Sequence, residues 1–199
     1  MFTKEKFIRW IQLSYKTPEH YGGWELMWKP ECVPHGENLI NKEEELKQLN
    51  KEMVETYPFL LPRNRWTDKV SEDYDYSYNE WEAIDLGWQI AFGWDLLNKL
   101  AVAVNNLEYP EEFRITQIKE KFGELRIYCC GSREIYQLID DYTALSRKIC
   151  IVCGKPADVA TTGWFSFYCN DCAKRLDLKD TKPIAEFERW WNGENEIDE

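Results

Sequence analysis

Histidine is almost missing from this chain. Its 199 residues hold two, His20 and His35, and neither lies near the cysteines of the C-terminal part. Beyond residue 35 the commonest general base in enzymes is therefore not available. Long apolar runs are missing too. None approaches the roughly 20 residues of a membrane span, so no membrane-embedded role is expected. Residues 1–10 carry charges where a secretory leader has its apolar stretch. There is no G-x-x-x-x-G-K-[ST] phosphate loop and no G-x-S-x-G nucleophile elbow, which excludes two large enzyme classes. No internal repeat is present. Seven cysteines, an odd number, do not suit a disulfide framework and fit a reducing compartment, so the expected location is cytoplasmic.

What is present is sharpest near the C-terminus. Cys150-x-x-Cys153 and Cys169-x-x-Cys172 form two pairs at the spacing of a structural zinc site. Each pair can grip one side of the ion, and the segment between is long enough for a hairpin. Four thiolates close the coordination shell and leave no position for substrate, so the expected role is architectural: one structural zinc. Gly154 suits the turn after the first pair. Asp158–Thr161 and Trp164–Tyr168 read as a hairpin, and Cys169 and Cys172 open a helix whose N-terminal end favours thiolate charge. Turn, hairpin and helix in that order predict a treble-clef-like finger. In such a small module the metal substitutes for core, so chelation should unfold at least residues 150–176.

Upstream, Thr3 caps a helix running to about residue 15, with Phe7, Trp10 and Ile11 at helical spacing. Residues 17–40, rich in Pro and Gly, read as loop, and Asn41-x-x-Glu44 resembles a capping box opening a polar helix to about residue 56. A helix over roughly 81–106, with Ile84, Trp88, Ala91, Phe92 and Leu96 on one side, is expected to be the central buried element. Phe113–Lys119 and Glu124–Cys130 read as strands about a Lys121-Phe122-Gly123 turn. Ser132 caps a helix with the stripe Ile135, Leu138, Ile139, Tyr142, Leu145 and Ile149. A last helix begins at Pro183 and carries Phe187, Trp190 and Trp191; an acidic tail covers 194–199. The predicted fold class is α+β, helices packed with a short β-hairpin plus the C-terminal finger. The predicted organisation is a helical and loop extension over 1–56, an α+β core over 57–149, the finger over 150–176, and a helix with acidic tail over 177–199.

The net charge of −11 is uneven, since residues 113–176 hold ten Lys/Arg against seven Asp/Glu inside an otherwise acidic protein. That overall field disfavours non-specific binding to nucleic acid. Residues 71–85 hold six acids and no base, interleaved with Tyr74, Tyr76, Tyr78 and Trp81. Two readings stand: a solvated loop whose aromatics tuck into the core, or a docking surface for a basic partner. At the predicted turn, Phe122 either plugs a core pocket among solvated lysines, or Lys121 and Arg126 meet phosphate or an acidic protein surface. Alternation sets Glu124, Arg126 and Tyr128 on one face, so Arg126 can instead pair with a carboxylate. Cys129 and Cys130 are adjacent on a strand end and point to opposite faces, one expected buried and one half-exposed. Cys32-x-x-His35 together with His20, in a Pro/Gly-rich loop, offers three candidate ligands for a second metal. His35-Gly36-Glu37 matches the H-x-E of zinc deaminases, but no Pro precedes Cys150 and the second pair closes the shell.

The block Lys119-Glu120-Lys121-Phe122-Gly123-Glu124-Leu125-Arg126-Ile127-Tyr128, followed by a helix and the two cysteine pairs with Gly163-Trp164 between them, resembles small proteins encoded by bacteriophages and prophages. These carry a K-E-K-F-G-x-L-R-x-Y block ahead of a four-cysteine zinc finger. Tyr57-Pro58, Gly87-Trp88 and Gly93-Trp94-Asp95 are similar to that family's upstream segments. The resemblance spans roughly residues 55–172. It implies a phage origin and a zinc-stabilised α+β domain, and carries no activity with it. Small phage accessory proteins often act on host machinery. The expectation is a non-enzymatic accessory protein that binds, and inhibits, a host protein such as a defence-system component. Tyr74, Tyr76, Tyr78, Trp81, Lys121 and Arg126 are its candidate contacts. Nucleic-acid binding through Lys121, Arg126, Lys174 and Arg175, or an enzyme of unknown reaction, are the alternatives.

Overall fold

In the computed structural model, residues 2–14, 40–64 and 66–191 are described. The loop expected at 17–40 and the acidic tail at 194–199 lie outside them, apart from Ile40, which begins the second helix.

Helix α1 (Lys4–Ser14) starts where Thr3 Oγ1 accepts the Lys6 N–H at 3.4 Å. It buries Phe7, Trp10 and Leu13, one turn apart, while Ile11 packs at the margin. Helix α2 (Ile40–Thr56) lies against it. Arg9 forks onto Glu45 through two hydrogen bonds of 2.7 Å each, a bidentate pair that fixes the register of the two helices. Between them the Trp10 indole N–H donates to Asn50 Oδ1 at 2.7 Å in a buried contact. Helix α2 reads as polar, yet it buries Leu49, Met53 and Val54.

The helix expected over 81–106 is broken. A short 3₁₀ turn (Glu80–Ala83), capped by Asn79 Oδ1 on the Trp81 N–H at 2.8 Å, ends in extended backbone at Ile84. Helix α3 (Leu86–Trp88) then begins, widens into a π turn over Gln89–Gly93, and continues as α4 (Trp94–Asn105). The break has a tertiary cause. The Gly87 N–H, which a continuous helix would give to residue 83, donates to Ile151 O at 2.8 Å. Gln89 Nε2 takes the Trp81 carbonyl at 2.6 Å. The π turn adds one residue per turn and shifts the buried stripe, so Ala91, expected inside, is exposed. Trp81, Ile84, Trp88, Leu96, Leu97 and Leu100 form the centre of the main core.

Strands β1 (Ile115–Lys121) and β2 (Glu124–Cys129) pair antiparallel, with Lys121 opposite Glu124 and a bulge between Ile115 and Gln117. Phe122 (φ +56°) and Gly123 (φ +73°) make the two-residue connection, both left-handed as a type I′ turn requires. Helix α5 (Arg133–Ser146), capped by Ser132, buries Ile135, Ile139 and Tyr142 against this hairpin and α4. Leu145, expected in the stripe, is 37 % exposed.

The chain then passes through the first cysteine pair to β3 (Val159–Thr161) and β4 (Phe167–Tyr168), α6 (Asn170–Arg175), β5 (Thr181–Pro183) and α7 (Ile184–Trp191). Strand β3 is central, with β4 on one side and β5 on the other. Phe187 closes a small cluster with Ala160 and Phe167. The architecture is α+β, with two small antiparallel sheets. No helix among the described residues is long and apolar enough to cross a membrane.

Candidate metal centre

The first cysteine pair sits in a turn that the sequence forces tight. Cys150 N–H donates to Lys155 O at 2.7 Å and Gly154 N–H returns to Cys150 O at 3.0 Å. Gly154 has φ +76°, and a Cβ there would lie 2.7 Å from Gly87 O, so the position needs glycine for its conformation and for room. The second pair opens α6. Cys169 occupies the cap position, its Sγ accepting the Cys172 N–H at 3.5 Å. Asp158 Oδ2 holds the Asn170 N–H at 2.8 Å and pins this end to the start of β3.

These two turns bring Cys150, Cys153, Cys169 and Cys172 together, with every Sγ within 4.8 Å of the others. Cys153 Sγ and Cys169 Sγ are 3.6 Å apart. A tetrahedral site with metal–sulfur bonds of about 2.3 Å has edges of about 3.8 Å. The donor set therefore fits a metal ion. Its electrostatics point the same way. Burial pushes the Cys150 thiol up to about 11 and the Cys172 thiol higher still. Burial also opposes ionisation of Cys169, but the Cys172 N–H and the neighbouring thiols donating to it bring it below the usual thiol value. Thiols this close and this enclosed do not ionise together unless a cation sits among them. The Arg175 guanidinium, 3.6 Å from Cys172 Sγ, supplies part of that charge from outside. Cys150, Cys169 and Cys172 are buried and Cys153 is half-buried, so the site is enclosed.

The other expected contacts are scattered. Trp81 is a correction: it is fully buried in the main core, because the 3₁₀ turn directs it inward, and it offers no surface. Tyr74 and Tyr76 are half-buried and Tyr78 is 51 % exposed; their rings pack on one another at 5.1 Å and 5.6 Å. Helix α2 supplies counter-charges to this acidic segment, Lys47 to Asp75 at 2.8 Å and Lys51 over the Tyr76 ring. Phe122 is another correction. The left-handed turn lifts it off the hairpin end, 47 % exposed, and it meets Phe165 at 6.1 Å instead of filling a core pocket. Lys121 lies over its ring at 5.3 Å. Arg126 and Arg147 both pair with Glu124, which is 3 % exposed, so Arg126 covers a buried carboxylate while keeping an exposed edge. Cys129 is half-buried and Cys130 exposed. His20, Cys32 and His35 lie outside the described residues.

Three features had no reading in the sequence. Trp66 is 94 % exposed and Trp164 70 % exposed, the latter donating its indole N–H to Glu120 Oε2 at 3.2 Å beside the Phe122 turn. Arg63 and Arg114, far apart in the chain, share a cavity near the other end of the hairpin. Only the Asn64-x-Trp66-x-Asp68 pattern, typical of a side-chain-braced turn, hinted at any of them. No family model, curated protein or solved structure matches the chain.

Proposed function

We propose that the protein is a non-enzymatic, phage-type accessory factor that binds and inhibits a host protein such as a defence-system component. In this reading one structural Zn²⁺ fastens a treble-clef-like finger to the α+β body. Phe122 carries the reading. It is a bulky aromatic residue held at φ +56° in a turn where Asn or Gly would fold at less cost, and 47 % of it faces solvent. Strain kept at an exposed aromatic is a mark of function rather than of folding. Trp164 reaches the same turn through its hydrogen bond to Glu120, and two exposed aromatics with a flanking cation, Lys121, have the composition of an interface hot spot. The enclosed four-cysteine centre supports an architectural role for the metal, since it leaves no open coordination position.

The test is affinity capture from nuclease-treated bacterial lysate with the tagged protein and with a Phe122→Asn, Trp164→Ala variant. The expected result is one stoichiometric protein retained by the first and lost from the second. Equal retention by both, or retention of nucleic acid alone from untreated lysate, overturns the reading.

A further inference from the structure

At the far end of the hairpin from Phe122, a cavity of about 300 Å³ is lined by Arg63, Arg114, Asp68, Glu80, Gln117 and Tyr128 among others. Arg63 arrives on the loop after α2 and Arg114 just before β1. The two guanidiniums converge on one carboxylate: Asp68 Oδ2 is 3.9 Å from Arg63 Nη1 and 3.8 Å from Arg114 Nε. These separations exceed hydrogen-bonding distance, so Asp68 balances their charge without occupying their donors. Arg63 Nη1 is held by Asp68 O at 2.8 Å and Arg114 Nη1 by Phe113 O at 2.7 Å and by Glu111 O. Both Nε atoms are enclosed and have no hydrogen-bond acceptor among the described residues. The backbone thus anchors one corner of each guanidinium and leaves its Nε unmatched among the described residues. A buried donor without an acceptor costs stability, which is tolerated where a ligand supplies the acceptor.

The loop carrying Asp68 is braced by its own hydrogen bonds and presents a second element. Asn64 Oδ1 accepts the N–H groups of Trp66 at 2.9 Å and Thr67 at 3.1 Å. Asn64 O accepts from Asp68 N–H, and Asn64 N–H donates to Lys69 O, both at 2.9 Å. Asp68 itself is left-handed at φ +53°. This bracing holds Trp66 almost entirely in solvent, on the same loop whose Arg63, Asn64 and Asp68 line the cavity. Tyr128, 42 % exposed, faces the cavity from β2 with Lys119 4.8 Å from its ring centroid. Paired guanidiniums match the oxygens of a phosphate, and an exposed indole is a platform for a planar ring.

We infer that the Arg63–Arg114 cavity binds the phosphate of a nucleotide, free or at the end of a single strand, with its ring on Trp66 and Asp68 holding the phosphate's place until it arrives. The site is independent of the partner-binding reading, because it lies at the opposite end of the hairpin from Phe122 and Trp164.

The experiment is NMR titration of the full chain, following the Arg Nε–H and Trp indole N–H resonances. The probes are adenosine monophosphate, inorganic phosphate and a short 5′-phosphorylated oligonucleotide. The monophosphate should shift Arg63, Arg114 and Trp66 together and bind about tenfold tighter than inorganic phosphate, a ratio within the range of one stacked ring. Trp66→Ala should remove that advantage. Asp68→Asn keeps a residue that tolerates the left-handed turn and removes the competing charge, so it should tighten binding about tenfold. Arg114→Gln should abolish binding. Whichever of the monophosphate and oligonucleotide binds tighter identifies the source. No shift at millimolar monophosphate, equal affinity for monophosphate and inorganic phosphate, or no gain in Asp68→Asn overturns the inference. The last variant decides the matter even if Arg114→Gln fails to fold.

Discussion

Gly87 is the place where helix α3 meets the turn of the first cysteine pair, and Gly87→Ala tests that joint. An added Cβ would stand 2.0 Å from Cys150 O, 2.5 Å from Ile151 C and 2.6 Å from Ile151 O, all backbone atoms, where ordinary contact begins near 3.4 Å. The turn holding the first cysteine pair must therefore back away by roughly 1 Å, since main chain cannot swing aside as a flexible side chain does. That movement breaks the 2.8 Å bond from Gly87 N–H to Ile151 O. It also loosens the contact between Gly154 and Gly87 O. Overpacking costs about 1–3 kcal/mol and the lost hydrogen bond about 1 kcal/mol, so the variant should lose about 2–4 kcal/mol. For a chain of this size each kcal/mol moves Tm by about 2–4 °C, which gives a fall of about 4–16 °C. Thermal unfolding by circular dichroism measures it, and hydrogen exchange of residues 150–154 locates it. Metal content should stay near one ion per chain, because the cysteines themselves are untouched. A Tm within about 2 °C of the wild type, with protection at 150–154 unchanged, would refute the joint.

Cys153→Ser should lose the metal and expose the amides of 150–176 to fast exchange while α1, α2 and α4 stay protected, read by elemental analysis and hydrogen exchange; a metal-free variant that is soluble and fully folded would sink the structural-metal reading. Burial pushes the Glu82 carboxyl up to about 7, although Asn50 and the Asn79 N–H donate to it. The folded state therefore prefers the neutral acid, and this contribution to stability, full below the ordinary carboxyl range, is lost as pH rises through about 7. Glu82→Gln should raise Tm by about 2–8 °C near pH 8 and leave it unchanged near pH 4, checked by thermal scans at both. Phe122→Asn, which suits the left-handed turn, should raise stability by about 0.5–1 kcal/mol in chemical denaturation, and a loss instead would mean that the Phe165 contact outweighs the strain.

The four-cysteine cluster was legible because its signal is covalent spacing: two short cysteine pairs, a glycine after the first and a helix start at the second need no knowledge of the rest of the chain. Helices α1, α2 and α5 and the β1–β2 hairpin were legible for a similar reason, since caps and periodicity are local. What stayed hidden depends on partners distant in sequence. The break at Ile84 follows from Ile151 taking the Gly87 N–H, 64 residues away. The exposure of Ala91 follows from the π turn, and the burial of Trp81 from the inward 3₁₀ turn. Strand β5 is three residues long and gains its identity only by lying beside β3. The convergence of Arg63 and Arg114 is likewise a product of the assembled fold, because nothing in either neighbourhood names the other.

The two sheets also differ in what they leave open. In the C-terminal sheet, β4 and β5 flank β3, so its central strand has no free side. The β1–β2 pair has no third strand among the described residues, and part of the outer side of β2 is taken by α5, where Ser146 Oγ accepts the Leu125 N–H at 3.0 Å and Thr143 Oγ1 donates to Leu125 O at 2.8 Å. Open strand margins invite pairing with another chain. Here the bulge after Ile115 kinks β1, and Lys119, Glu120, Lys121 and Arg126 set charged side chains along the hairpin. A second copy brought alongside would have to bury these charged side chains at the seam, so the residues that keep the hairpin wet also keep the protein from templating its own aggregation.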